Sequence, residues 1–242
     1  MYNEHRKGAS VLEPSDLVFL IDVDNTLLDN DRFVADLGAR LEQSFGAGER
    51  ERYWTIYNAL RDELGYADYL GALQKFRVGF DESSDLLHMS AFMLEYPFAR
   101  RLYPRALDVI KHLRTLGLTT VLSDGDVVFQ PRKVQRSGIW DSVEGRVLIY
   151  VHKERMLDAM QRRFPASHYV MVDDKPQLLA AAKRVLGEKL TSVFVRQGHY
   201  AAESTNQEIA PPPDIGIGQI AHLLDVERSV FMTAALTRMP DR

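Results

Sequence analysis

The segment LVFLIDVD (17–24) is a short, unbroken apolar run that ends in acids. A run that is apolar on both faces is what a strand buried inside a parallel sheet requires. From about Asp31 to Arg101 the period changes. Leu37 and Leu41, then Tyr53, Tyr57, Leu60 and Leu64, recur at helical spacing, and Leu86, Leu87, Met89, Ala91 and Met93 fall in a further helix. No strand pattern occurs in this stretch. Pro104 then reads as a first-turn residue of a helix with Leu107, Ile110 and Leu113 on one face, ended by Gly117. LTTVLSDGD (118–126) is a second buried strand, running into acids and a glycine, and VLIYV (147–151) a third. Beyond it the pattern gives a helix over 153–163, a strand over 169–172, a helix over 176–186 stopped by Gly187, and a strand over 191–195. Pro211, Pro212 and Pro213 mark a rigid turn before a closing helix near 217–225. Residues 1 to about 15 read as a loose leader.

Strands alternating with helices imply an α/β fold, a parallel sheet flanked by helices. The helical block follows the first strand as an insertion. The chain therefore divides into a core of residues 1–29 and 103–242 and an all-helical segment of residues 30–102.

Composition narrows the functional classes. The chain has 242 residues, 45% hydrophobic and 26% charged, which is ordinary globular composition and excludes wholesale disorder. Its net charge of −4 argues against a general nucleic-acid binder, which needs a basic face. The absence of cysteine removes disulfides, thiolate metal sites and a cysteine nucleophile, and fits a reducing cytoplasm. The basic start is followed by VLEPSDL, which breaks the apolar run a signal peptide needs. The strongest apolar stretch, 17–21, is far short of the ~20 residues of a membrane span. The expectation is a soluble cytoplasmic protein with no nucleic-acid or membrane partner.

Three strands finish in polar groups: Asp22-Val23-Asp24-Asn25-Thr26, Ser123-Asp124-Gly125-Asp126 and Asp173-Asp174-Lys175. In an open parallel sheet the carboxyl ends of the strands form one edge, where ligands bind. Asp22 and Asp24 are two apart and point the same way while the chain is extended. Two unit charges about 4 Å apart repel by roughly 4 kcal/mol at an effective dielectric near 20. A converging cluster of Asp22, Asp24, Asp173 and Asp174 thus calls for a bound cation or for protonation. Oxygen ligands without His or Cys favour Mg²⁺. Asp124 and Asp126 are open between capping the following segment and touching substrate. Thr26 is read as bracing the turn after Asp24.

These residues resemble the haloacid dehalogenase-like hydrolase superfamily. FLIDVDNTLLD is similar to its first motif, an apolar strand followed by Asp-x-Asp-x-Thr, and VLSDG to its second, a strand ending in Ser or Thr. Lys153, about twenty residues before the acidic pair, stands where the third-motif lysine belongs, and YVMVDDK resembles the fourth motif. The order fits over roughly residues 17 to 225. The resemblance implies a Rossmann-like core with a helical cap over 30–102 and hydrolysis of a small phosphomonoester through an aspartyl-phosphate. It implies Asp22 as nucleophile, Asp24 as acid and then base, and Ser123 and Lys153 as contacts to the phosphoryl group. Crowding by neighbouring acids is expected to tune Asp24 toward that role. Mg²⁺ would be held by Asp22, the backbone carbonyl of Asp24, Asp174 and, through water or directly, Asp173. The fourth motif departs from the family where Lys175-Pro176-Gln177-Leu178 supplies no further acid. Dehalogenases of the superfamily lack the second Asp of the first motif, and Asp24 is present here. A phosphosugar mutase, or a non-catalytic phospho-ligand binding protein, stands as the alternative on the same residues.

Within the helical segment Tyr53, Tyr57, Leu60 and Leu64 are read as helix-packing residues. Arg32, Arg61 and Arg77 are read as solvated. Lys175 is the weaker rival of Lys153 for the cationic role. Arg196-Gln197-Gly198-His199 follows the last strand and reaches the same edge, with His199 left outside the site.

Overall fold

The computed structural model describes residues 15–80, 82–203 and 208–233, so that, Ser15 apart, the leader lies outside the described residues. Six strands, β1 (Ser15–Ile21), β2 (Leu118–Asp124), β3 (Val147–Tyr150), β4 (Ala166–Asp173), β5 (Leu190–Val195) and β6 (Ile215–Ile217), form one sheet. Their order is β3-β2-β1-β4-β5-β6, and every pair is parallel. The chain first steps from β1 to one side and then returns to build the other. β1 is therefore the central strand and the point where the winding direction reverses.

The apolar run of β1 is buried on both faces. Phe19 and Ile21 pack with Val121, Val170, Val172 and Val193 on one side of the sheet. Val18 and Leu20 pack with Leu122, Tyr169 and Met171 on the other. Neighbours in the sequence alternate between the two layers, as the pleat demands. The Val18 face is covered by α8 (Leu157–Arg163) and α9 (Pro176–Leu186), through Leu157, Met160, Leu179 and Leu186. The Phe19 face is covered by α5 (Ala106–Leu116) and by α11 (Arg228–Thr233), whose Phe231 meets Phe19 edge-on at 5.2 Å.

Residues 30–101 hold α1 (Asn30–Phe45), α2 (Ala47–Leu64), α3 (Tyr69–Phe76), α4 (Ser84–Glu95) and a 3-10 turn at Phe98–Arg101. Asp29 caps α1 by accepting from the Arg32 N–H at 2.9 Å. Gly65, with φ +79°, ends α2 in the left-handed conformation that glycine adopts without strain. Leu37, Leu41, Tyr53, Tyr57 and Leu60 are buried as their spacing requires, and they join the Phe19 layer in one continuous cluster. The chain enters and leaves this segment side by side. Asp29 N–H donates to Arg101 O at 2.7 Å, Tyr103 N–H donates to Leu27 O at 3.0 Å, and Leu28 bridges Leu102. Among the described residues no helix is long and apolar enough to cross a membrane.

Four details depart from the sequence pattern. α5 starts at Ala106 rather than Pro104, because Arg105 takes a left-handed φ of 65°. Lys153–Arg155 is a 3-10 turn, and the helix proper begins at Leu157. The segment near 217–225 is not a closing helix; it is β6, with only three residues, followed by a 3-10 turn at Ile220–Asp225. Residues 127–146, which carried no assigned element, hold α6 (Phe129–Arg136) and α7 (Ile139–Ser142).

Candidate active site

The carboxyl ends of β1, β2 and β4 lie next to one another and deliver the three polar segments to one place. Asp22 continues β1, its N–H donating to Val172 O at 3.0 Å. Ser123 and Asp124 close β2, and Asp173 closes β4. Lys153 reaches in from the turn after β3. Its side chain is buried, with Nζ 2.5 Å from Asp22 Oδ1, 2.7 Å from Asp173 Oδ2 and 3.3 Å from Leu122 O. Ser123 Oγ donates to the same Asp22 oxygen at 3.3 Å. The Lys153 N–H donates to Asp124 Oδ1 at 2.8 Å, which fixes the turn that carries the lysine.

Asp22, Ser123, Lys153 and Asp173 meet by direct contact, and Asp174 lies beside them, with a carboxylate oxygen within 4.8 Å of Asp22 and Asp173. Asp24 joins through Gln130, whose Nε2 donates to Asp24 Oδ2 at 3.2 Å and to Ser123 Oγ at 3.1 Å. The surroundings of Asp24 differ from the expected crowd of acids. Its carboxylate is gripped by Lys133, with Nζ 2.7 Å from Oδ1 and 2.9 Å from Oδ2. Lys133 and Gln130 carry no mark of this role in local composition, because QPRKVQR (130–136) has that of a solvated polar stretch. One signal was available: Phe129 and Lys133 are four apart, so on a helix the lysine shares the face of a buried aromatic. Asp126 shapes the approach to this helix, its Oδ1 accepting from the N–H groups of Val128 at 2.8 Å and Phe129 at 2.7 Å. Of the two ambiguous acids, Asp126 thus caps, while Asp124 holds Lys153 and borders the cavity described below. Thr26 is buried, and its hydroxyl has no hydrogen-bond partner among the described residues, so any bracing comes from the backbone.

Charge is unevenly compensated. Burial alone would push the Lys153 ammonium down, but the carboxylates of Asp173, Asp22 and Asp124 hold it above its ordinary value, so it stays charged. Burial raises Asp173 above the usual carboxylate range, opposed mainly by Lys153. Asp174 is pushed up to about 9, by burial first and then by Asp173 and Asp22. Both of its carboxylate oxygens are buried without a hydrogen-bond partner among the described residues. Asp22, Asp173 and Asp174 each offer an oxygen within 4.8 Å of the others. An unpartnered buried carboxylate beside two more is costly unless a cation joins it. The donor set is all oxygen, so a hard divalent ion fits. The side chain of Asp24 stands outside this cluster.

Above the strand ends lies a cavity of about 610 Å³. Asp24, Asp124 and Lys175 form its core side, and Trp54, Tyr57 and Arg61 are among the residues that form its helical side. Tyr57 and Tyr69 are packing residues, stacked at 4.9 Å, and both also face the cavity. Among the described residues Lys175 makes no ion pair with the acids as Lys153 does; its Nζ sits 4.9 Å from the ring of Tyr200, on α10 (Gly198–Glu203), and its charge acts on Asp22 and Asp173 from the cavity side. Arg61 donates to the Tyr200 hydroxyl at 2.5 Å. His199, left outside the site from sequence, lines the cavity too and pairs with Asp31 at 2.6 Å.

A parallel sheet with an aspartate-lined crevice at its winding reversal marks this as an α/β protein of the doubly wound class. The chain belongs to the haloacid dehalogenase-like hydrolases, whose family model matches residues 17–185. A crystal structure from Burkholderia xenovorans LB400, described as a haloacid dehalogenase-like hydrolase, is similar to it at 56% identity and TM-score 0.82, over 88% of this chain and 100% of that one. Two more distant structures share the fold. L-2-haloacid dehalogenase from Xanthobacter autotrophicus has 17% identity and TM-score 0.54, over 86% and 96% of the two chains. A magnesium-bound hydrolase of the same superfamily from Bacillus subtilis has 15% identity and TM-score 0.55, over 88% and 100%. A search of curated proteins finds no match.

Proposed function

We propose that this hydrolase cleaves a small phosphomonoester with a divalent cation, Mg²⁺ by preference, bound at Asp22, Asp173 and Asp174. The observation that carries this reading is the pairing of a cation-deficient carboxylate cluster with a separately held second aspartate, Asp24. Displacing a halide needs neither a bound cation nor a proton donor. Displacing an alcohol from phosphorus uses both.

The residues divide the work. The Asp22 oxygen held by Lys153 and Ser123 fixes the rotation of its carboxylate, leaving the other oxygen to attack. In the first step an Asp22 oxygen bonds to phosphorus and the bond to the leaving oxygen breaks. That oxygen keeps the electron pair and takes the proton of Asp24. In the second step a water oxygen bonds to phosphorus, Asp24 takes the water proton, and the Asp22–phosphorus bond breaks to free phosphate. Lys153 and Ser123, held at Asp22, place a positive charge and a hydroxyl beside the reacting oxygen, where charge gathers. A bound Mg²⁺ would supply neutralising charge to the phosphoryl group. The helical segment, as a cap, walls the cavity and excludes water during attack.

The test is phosphate release from an aryl phosphate with Mg²⁺ and with chelator, for wild type and Asp22→Asn. Metal-dependent release that the variant lacks supports the proposal. Halide release from a 2-haloacid, without phosphate release from any monoester, overturns it.

A further inference from the structure

Lys133 is a buried cation that the family motifs leave without a task. Its side chain is fully buried on α6, while that of Asp24 is 31% exposed. A lysine ammonium has three donors. Here two go to the two oxygens of Asp24, and the third goes to Asn30 Oδ1 at 2.9 Å. No donor is left for substrate. Four rings surround the ammonium, with centroids 5.5 Å (Phe129), 5.8 Å (Phe98), 5.9 Å (Phe33) and 6.0 Å (Tyr69) from Nζ. Cations are attracted to such ring faces, and the attraction grows on desolvation. Three of the four rings, and Asn30, come from residues 30–101; Phe129 belongs to α6 itself.

We infer that Lys133 is the positioning residue for Asp24, holding its carboxylate by both oxygens at an orientation set by the helical segment packed over it. This rests on the phosphomonoesterase reading above. A carboxylate gripped at two points cannot rotate about its last bond, so the side that faces the cavity is fixed. The grip is made where Asn30, Phe33, Tyr69 and Phe98 close around the ammonium. Alignment of the acid/base is thereby coupled to seating of the helical segment. Gln130 adds a link from Asp24 to Ser123 and so to the nucleophile's own partner.

The two steps of hydrolysis separate this role from a purely structural one. With 2,4-dinitrophenyl phosphate the departing phenolate needs no proton, so the first step does not use Asp24, while the second still does. Lys133→Met, in Mg²⁺, is expected to release one equivalent of phenolate per site in a burst. Turnover then follows at roughly 100-fold below wild type or slower, the range in which acid/base groups act. With glycerol phosphate, whose alkoxide needs a proton, no burst appears and the loss is larger. Asp24→Asn shows the same split, and adding Lys133→Met to it changes little further. Should Lys133→Met fail to fold, Asn30→Ala, which removes one anchor and no charge, gives a several-fold version of the pattern. Lys133→Arg restores part of the steady-state rate. Equal losses with both substrates and no burst, or unaltered turnover in a folded Lys133→Met protein, overturn the role of Lys133 alone. A wild type that releases phosphate from neither substrate overturns the phosphomonoesterase reading and this role together.

Discussion

The two acidic pairs at the sheet edge look alike in sequence and differ in their electrostatic surroundings. In the pair after β1, each aspartate is paired to a buried lysine: Asp22 to Lys153 and Asp24 to Lys133. In the pair after β4, Asp173 shares Lys153, and the Asp174 carboxylate has no hydrogen-bond partner among the described residues. Under the proposed function, lysines grip the carboxylates that must keep one orientation, and Asp174 is left ungripped for a mobile cation. The same residue type, on neighbouring strands of one sheet, sits in different electrostatic surroundings because of what reaches it from outside the sheet.

Several substitutions break this contrast. The largest effect is expected of Asp22→Asn, which keeps the shape and removes the attacking charge. Phosphate release should fall to background while circular dichroism shows an unchanged fold. Lys153→Met comes next. It leaves Asp22 and Asp173 facing each other in a buried site, a loss of about 3–5 kcal/mol of the kind seen when one partner of a buried pair is removed. Urea unfolding in chelator measures it, and Mg²⁺ should narrow the deficit relative to wild type.

Asp174→Asn sharpens the comparison through pH. The folded-state value of Asp174 is about 9, against roughly 4 for an unfolded aspartate. Between those limits the metal-free native state holds a proton that the unfolded chain has released. Stability in chelator should therefore be full below about 4 and decline as pH rises toward about 9. Asp174→Asn should flatten that decline, raise the melting temperature at pH 8 in chelator, and abolish the stabilisation that Mg²⁺ gives wild type. Mg²⁺ binding to wild type should release a proton, visible as a buffer-dependent heat in calorimetry. The smallest effect belongs to Asp126→Ala. It removes the carboxylate that closes the turn into α6 and should cost about 1 kcal/mol without changing the metal dependence.

What could be read from the chain follows from the range of the interactions. β1 is buried on both faces, so its burial is written into consecutive residues. The acids after β1 and β4 and Ser123 are legible because strand ends in a parallel sheet share one edge, and Lys153 because its place resembles the family's third motif. Their separation in sequence therefore does not hide their meeting. Lys133 was not legible for the opposite reason. Its burial depends on rings at positions 33, 69 and 98, far away in the chain, and no local pattern distinguishes a caged lysine from a solvated one. The same holds for His199, whose partner Asp31 lies on the first helix of the other segment. β6 escaped because three residues, one of them glycine, are too short to show a period.

The paired crossings between Leu27–Asp29 and Arg101–Tyr103 carry an evolutionary consequence. Because entry and exit are hydrogen-bonded to each other, the sheet meets the helical segment at a junction whose geometry does not depend on what hangs beyond it. A replacement of another length needs only to begin and end at that junction, and closing a longer loop adds little entropy. The chemistry beneath and the recognition above can then diversify at different rates. The exception is the cage around Lys133, which any substitute must rebuild to keep the acid/base in register.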